Sequence, residues 1–473
     1  MVLRCCKENK TSVLEQVRNG KIDVVALSST NLVDDIILAM HTNGLLDCLS
    51  KGITDKRRHN TTVPYNVIWA SAIAAKMKVH SSLTDIPYAI SDHRVLAKLG
   101  YSLYDDSGGL GHSLMTEGSI RFLIGKYNTG DLISGYNNTL QHYIMKKMDM
   151  VPDIHILDCT DLEVNFDNQN YEGSGLSYSK RTKDGSQTKA RGYKLAALRG
   201  LVKDSGIIEE IRFGSINTHD LTLSKDMILT SPILKTGDIL INDRGFLSRN
   251  VINYLKINRK IDIYVPLRTN MQAYNIAVQI AKEGNSWSQN PKYENQKIAL
   301  VTDLGNYWQP EEREFDIPDV ALNGCVIWYE NTDSYAVIVT TDLSKSAKNI
   351  INTYCLRPEI EEDYRQIKDF WRIEDFKSTK ANLIAFHIVC VLLGYLFFQL
   401  YTLLPDGERY CGKSLPVLLK RYQAKIQGFI VIYIGCEFGI FTFMEIVKLY
   451  SESTIKTKMI LEQAISRIGV EIV

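Results

Sequence analysis

From residue 151 the chain changes texture, and that change limits the possible folds more than any other feature. Four short apolar runs follow one another: PDIHILDCTDLEV from residue 152, RGYKLAALRGLV from 191, GIIEEIRFGSIN from 206 and GDILINDRGF from 237. Each apolar core is four to seven residues long and ends in polar or glycine punctuation. Such runs suit strands and are too short for ordinary helices. LSRNVINYLKIN then has helical spacing, and RKIDIYVPL reads as a further strand. Strands alternating with helices predict an α/β sheet.

The flanking segments differ. Residues 1–150 carry helical spacing in NLVDDIILAMHTNGLLDCL, YNVIWASAIAAKM and SIRFLIGKYNTGDLISGYNNTLQHYIMKKM, predicting a helical N-terminal domain. Residues 268–333 mix turn-forming clusters with β-prone pieces such as KIALVTD and CVIWY, a β-rich insertion. Residues 406–473 read as a helical tail, with KSLPVLLKRYQ and STIKTKMILEQAISRI as its clearest segments. LIAFHIVCVLLGYLFFQLYTLL, residues 383–404, is apolar over the length a bilayer needs. His387, Gln399 and the charged run before it predict a buried core helix instead.

A formal net charge of +1 gives no global basic excess, so phosphate binding must come from local clusters. The nine cysteines include no CxxC pair, which favours free thiols over structural zinc. No secretory signal is visible at the N-terminus, and the expected location is cytoplasmic.

Three acids stand out. The run Ile154–Leu157 delivers Asp158, and the apolar pair Leu240 and Ile241 plus Asn242 delivers Asp243. Acids at strand ends lie where ligands gather in an α/β sheet. Two of them in one sheet can share a divalent ion, and hard oxygen ligands favour Mg²⁺ or Mn²⁺. An Asp that merely turns the chain is the alternative for each.

The third acid lies in YCLRPEIEEDYRQIK, residues 354–368. On a continuous helix Tyr354, Arg357, Glu361 and Lys368 would fall within about 60° of one another. Pro358 predicts instead that the helix starts near it, leaving Tyr354 and Arg357 in the approach. Ile360, Tyr364, Ile367 and Trp371 form the packing stripe. Glu361 beside that seam can serve as a third carboxylate, with Arg357 and Lys368 supplying positive charge for a phosphodiester. An amphipathic helix laced with salt bridges remains the alternative.

DCT at 158–160, DRGF at 243–246 and the set Tyr354, Arg357, Glu361 and Lys368 resemble the bacterial insertion-sequence transposases that have an Asp-Asp-Glu triad. Within these the chain is similar to the group with a Tyr-x2-Arg-x3-Glu-x6-Lys signature. Pro358 departs from that group, where an aromatic residue often follows the Arg. The resemblance covers roughly residues 150–405. It implies a ribonuclease-H-like catalytic core over 151–405, with Asp158, Asp243 and Glu361 holding two Mg²⁺ or Mn²⁺ ions. Tyr354, Arg357 and Lys368 are then expected to hold DNA phosphates. Trp328 is expected to stack a flipped base.

The partners implied are double-stranded DNA, as terminal inverted repeats and target, and a second copy of the chain to pair the two ends. The N-terminal helices are expected to bind end DNA. Independently, residues 177–203 gather Lys180, Arg181, Lys183, Lys189, Arg191, Lys194, Arg199 and Lys203 against the single acid Asp184, a basic loop able to track a phosphate backbone. Two other functions stay open: a non-catalytic DNA-binding descendant, and another metal-dependent nuclease or phosphatase.

Overall fold

A computed structural model describes residues 6–28, 31–57, 63–101, 116–147, 151–181, 187–202, 205–309, 311–421 and 428–467. Two units are present, Met1–Tyr143 with Ile367–Val473, and Ile144–Gln366. Among the described residues the strands are β1 (Lys7–Glu8), β2 (Val24–Ser28), β3 (Ile154–Val164), β4 (Gly175–Arg181), β5 (Gln187–Val202), β6 (Ser205–Ser215), β7 (Ile239–Asn242), β8 (Asp262–Pro266), β9 (Ser288–Gln289), β10 (Gln296–Val301), β11 (Asn323–Tyr329), β12 (Ser334–Thr340), β13 (Phe429–Ile434) and β14 (Glu437–Thr442).

In the unit Ile144–Gln366 one mixed sheet runs β4-β5-β3-β7-β8-β12-β11-β10-β9, and β6 also pairs with β5. β3 lies antiparallel to β5 and parallel to β7, which is parallel to β8. Parallel neighbours need crossover connections. The helix Arg249–Tyr254 and the turns after it supply one between β7 and β8. Leu157, Leu198, Leu240, Ile263, Val265 and Val339 build the core with Val251, Ile252 and Ala277 from the covering helices. This α/β arrangement is compatible with a ribonuclease-H-like domain. The β-rich stretch 268–333 is not set apart: its strands β9 to β11 continue the same sheet beyond β12, accompanied by the helix Gln272–Gly284.

The unit Met1–Tyr143 with Ile367–Val473 differs from the helical segments expected of the sequence. A four-stranded sheet, β1-β14-β13-β2, takes two strands from each end of the chain. FIVIYI is dense in β-branched and aromatic side chains, which suits a pleated and buried surface. Ile430, Ile432 and Ile434 pack on Val13 and Val17, and β13 meets β14 through a two-residue turn whose first residue, Gly435, takes φ +60°. The apolar segment forms the helix Ala381–Thr402, 94% buried over its most apolar window, as a core helix should be. Trp69 of the helix Tyr65–Met77 packs on its Phe386 with ring centroids 5.4 Å apart.

Candidate active site

β3 and β7 pair in parallel only from Ile154 to Leu157, opposite Ile239 to Asn242. Asp243 follows directly, as the sequence predicts, and caps a short turn by accepting a bond from the Arg244 amide at 2.7 Å. Asp158 was expected at the end of its strand and lies instead within it. β3 continues to Val164 because β5 pairs with it throughout, with Asp158 opposite Ala197. Asp158 therefore sits where the parallel pairing stops, level with the start of the Asp243 turn.

The helix carrying Glu361 starts at Pro358, and Tyr354 ends the preceding helix Ala347–Tyr354. This is the break that proline at a first helical position imposes. Arg357, between the two helices, reaches all three acids. Its Nη1 donates to Glu361 Oε1 at 2.6 Å, and its Nη2 lies 3.1 Å from Asp158 Oδ2 and 3.5 Å from Asp243 Oδ2. Three carboxylates far apart in sequence thus share one guanidinium. Among the described residues no group of three or more His, Cys, Asp or Glu is arranged to hold a metal ion as it stands. A cation of the chain's own stands among these acids.

Exposure grades across the three. The side chains of Asp158, Asp243 and Glu361 are 12%, 37% and 54% exposed. Burial pushes the Asp158 carboxyl up to about 6, against the opposing pull of Arg357 and the Cys159 amide, and the other two acids push it the same way as burial. Burial lowers Arg357, but the charges of Asp158 and Asp243 outweigh it and hold the guanidinium above its usual range. Burial also raises the Tyr354 phenol, with Arg357 opposing and the three acids adding to it. Tyr354 therefore belongs to the same electrostatic site.

The remaining expected residues are dispersed. Lys368 falls in the unit with Ile367–Val473, where its Nζ is 3.5 Å from Glu374. Lys183 lies outside the described residues. Lys180 and Arg181 fall on β4 opposite Thr188 and Gln187, and their side chains lie outside the described set. Lys189 is exposed, with its ammonium 5.5 Å from the Tyr178 ring centroid. Arg191 donates to the Phe166 carbonyl at 3.0 Å. The basic stretch is thus largely a β4–β5 hairpin instead of a loop. Two of its cations face inward: Lys194 pairs with Asp220 at 2.6 Å, and Arg199 is buried.

Trp328 sits on β11 in a half-buried aromatic group. It is stacked on Tyr335 at 6.3 Å and 12°, tilted on Trp287 at 5.6 Å, and bonded through Nε1 to Asp333 at 2.9 Å. The Lys297 ammonium lies 5.2 Å from its ring centroid.

Two contacts at the site were not anticipated. Tyr364, predicted only as packing, donates its hydroxyl to the Asp158 carbonyl at 2.6 Å. Arg199 binds Glu359 and Asp363 on the helix that carries Glu361. A tyrosine on the packing stripe was a visible signal for the first. Nothing local distinguished Arg199 from its basic neighbours.

A family model described as "Transposase DDE domain" matches residues 150–397, just over half of the chain. No curated protein matches the chain. The matched span covers β3 to β12 together with Asp158, Asp243, Arg357 and Glu361, so the chain belongs to the family of transposases with a DDE domain.

Proposed function

We propose that this transposase binds the terminal inverted repeats of its own mobile element and carries out metal-dependent strand cleavage and strand transfer of the cut-and-paste type. It belongs, in this reading, to the insertion-sequence group with the Tyr-x2-Arg-x3-Glu-x6-Lys signature. Asp158, Asp243 and Glu361 form its catalytic triad. The observation that carries the reading is the convergence of these three acids, from three separate segments, on one Arg357 guanidinium.

The donor set fits a divalent metal: three carboxylates already gathered round a positive charge, a hard-oxygen set suited to Mg²⁺ or Mn²⁺. Bound there, two such ions supply activation of the attacking oxygen and stabilisation of the leaving one. The chain's own residues do the rest. Arg357 exchanges its carboxylates for a DNA phosphate, for which its planar fork is suited. Tyr354, beside the same acids, holds a second phosphate oxygen, and Lys368 adds positive charge. Lys180, Arg181, Lys183, Lys189 and Arg191 are assigned, in this reading, to phosphates of the duplex. Trp328, already in a stacked aromatic group with a lysine over it, offers a base a π-face. A homodimer pairs the two ends.

The test is purified protein with DNA carrying the ends of the element and Mg²⁺ or Mn²⁺. Nicks confined to the element ends are expected. Binding of ends with no cutting favours the non-catalytic descendant. Hydrolysis of small phosphate esters with indifference to DNA favours a phosphatase.

Arg357 makes a separate prediction. Removing a cation from among three acids raises their pull on any other cation. Arg357→Ala is expected to tighten Mn²⁺ binding about tenfold, roughly 1.4 kcal/mol, while lowering end cleavage. Mn²⁺ titration followed by electron paramagnetic resonance checks it. Unchanged or weaker Mn²⁺ affinity would show that the guanidinium and the metal do not compete.

A further inference from the structure

Glu361 occupies an eight-residue helix, Pro358–Arg365; its side chain is 54% exposed and its carboxylate meets Arg357, just before that helix, at 2.6 Å. The rotation of the helix sets the direction in which the side chain leaves the backbone to reach that contact. Residues two before and two after Glu361 lie about 160° from it around the helix axis and about 40° from each other. Those residues are Glu359 and Asp363, and both are bound by one arginine. Arg199 of β5 places Nη1 2.8 Å from Glu359 Oε2 and Nε 2.5 Å from Asp363 Oδ2. The side chains of Arg199 and Asp363 are only 6% and 7% exposed.

The sheet is shaped around this contact. β6 carries one extra residue, Glu209, between the partners of Leu198 and Arg199, while β5 keeps an unbroken register with β3 through Arg199. Gly206 on β6 leaves the room, since a Cβ there would stand 2.0 Å from the Arg199 Cζ. Arg199 is the cross-strand partner of Ile156, two residues before Asp158, and Ala197 is the partner of Asp158 itself. Cross-strand partners share a face. Arg199 therefore projects from the same face of the sheet as the first acid, and its fork reaches the back of the helix that bears the third. Tyr364, donating to the Asp158 carbonyl, ties the same helix to β3.

We infer that Arg199 is a positioning residue: its two-point grip on Glu359 and Asp363 fixes the rotation of the helix Pro358–Arg365 and so aims Glu361 at the site shared with Asp158 and Asp243. This rests on the proposed catalytic role of the three acids. A lysine reproduces it poorly, because its one nitrogen on a flexible stem replaces the two fixed nitrogens, Nε and Nη1, that hold the two carboxylates.

Arg199→Lys, which keeps the charge, is the decisive variant. In the metal-free protein it is expected to speed amide hydrogen exchange across residues 359–365 about tenfold without changing exchange in β3. Mn²⁺ binding should weaken about tenfold, with end-DNA affinity within about twofold of wild type. In a Glu361→Gln background the same Arg199→Lys change should weaken Mn²⁺ binding no further, because it acts through Glu361. Glu359→Gln, at a 41% exposed position, removes one of the two contacts and should give a smaller version of each effect if the lysine variant does not fold. Unaltered exchange over 359–365, faster exchange in every strand alike, or a loss of Mn²⁺ binding that adds to that of Glu361→Gln would overturn the inference. A wild type that neither binds Mn²⁺ nor cuts ends would defeat the proposed function, while the exchange measurement still reports on the grip itself.

Discussion

Glu361→Gln is expected to lower end cleavage by a factor on the order of a thousand, about 4 kcal/mol of transition-state stabilisation, while end binding and stability stay near wild type. The contrast follows from where the side chain is. Glu361 is 54% exposed and its carboxylate meets Arg357, so it contributes little packing. Exchanging it for an isosteric amide falls in the class of surface substitutions that move stability by no more than about 0.5 kcal/mol. The amide keeps the shape and removes the charge a cation needs. Asp158 is a poorer choice for this purpose. That carboxyl is buried and already raised to about 6, so its neutralisation alters stability together with the chemistry. Cleavage assays on end DNA with a melting curve for each protein separate the two effects. Retention of even a tenth of wild-type cleavage would remove Glu361 from the triad.

How much of this was legible before the structure depends on how local the cause is. Asp243 was placed well because everything that places it is adjacent: ILIN makes the strand and DRG makes the turn. Pro358 likewise marked its own helix start, since proline acts on its own backbone. Local reasoning ends a strand at Asp158, whereas β3 runs on to Val164 through pairing with β5, more than thirty residues away. Arg199 was hidden for the same reason. In sequence it is one cation among eight, and only the register of β5 against β3 puts it on the face that meets the helix Pro358–Arg365. The strands at the two ends of the chain gave the weakest signals. β2 pairs with β13 across some four hundred residues, and no periodicity within VVALS announces a partner so distant.

The same strand that carries Asp158 predicts the largest effect on stability. His155, three residues earlier, is fully buried between two acids. Its Nδ1 is 2.7 Å from Glu209 Oε2 on β6, and its Nε2 is 3.1 Å from Asp238 Oδ2 just before β7. Ionised carboxylates only accept, so with both acids ionised both ring nitrogens donate and the ring is an imidazolium. Burial lowers the imidazole, but the charge of Glu209 and the bonds to both acids outweigh it and raise it from 6.5 to about 9. Burial also holds Glu209 above the usual carboxylate range, with His155 opposing, so both groups keep a proton longer in the folded chain. At these two groups the folded state binds more protons than the unfolded one, so their contribution to stability falls as pH rises. For His155 its contribution is complete below about pH 6.5 and lost on passing about pH 9, a change of about 3 kcal/mol. His155→Leu removes the cation and leaves two acids facing an apolar side chain, which should cost about 3–5 kcal/mol at neutral pH. It should also flatten the pH dependence above pH 6.5. Urea denaturation of both proteins at pH 6, 7.5 and 9.5 provides the comparison. A stability difference between wild type and variant that stays the same at all three values would show that the proton is not held in this triad.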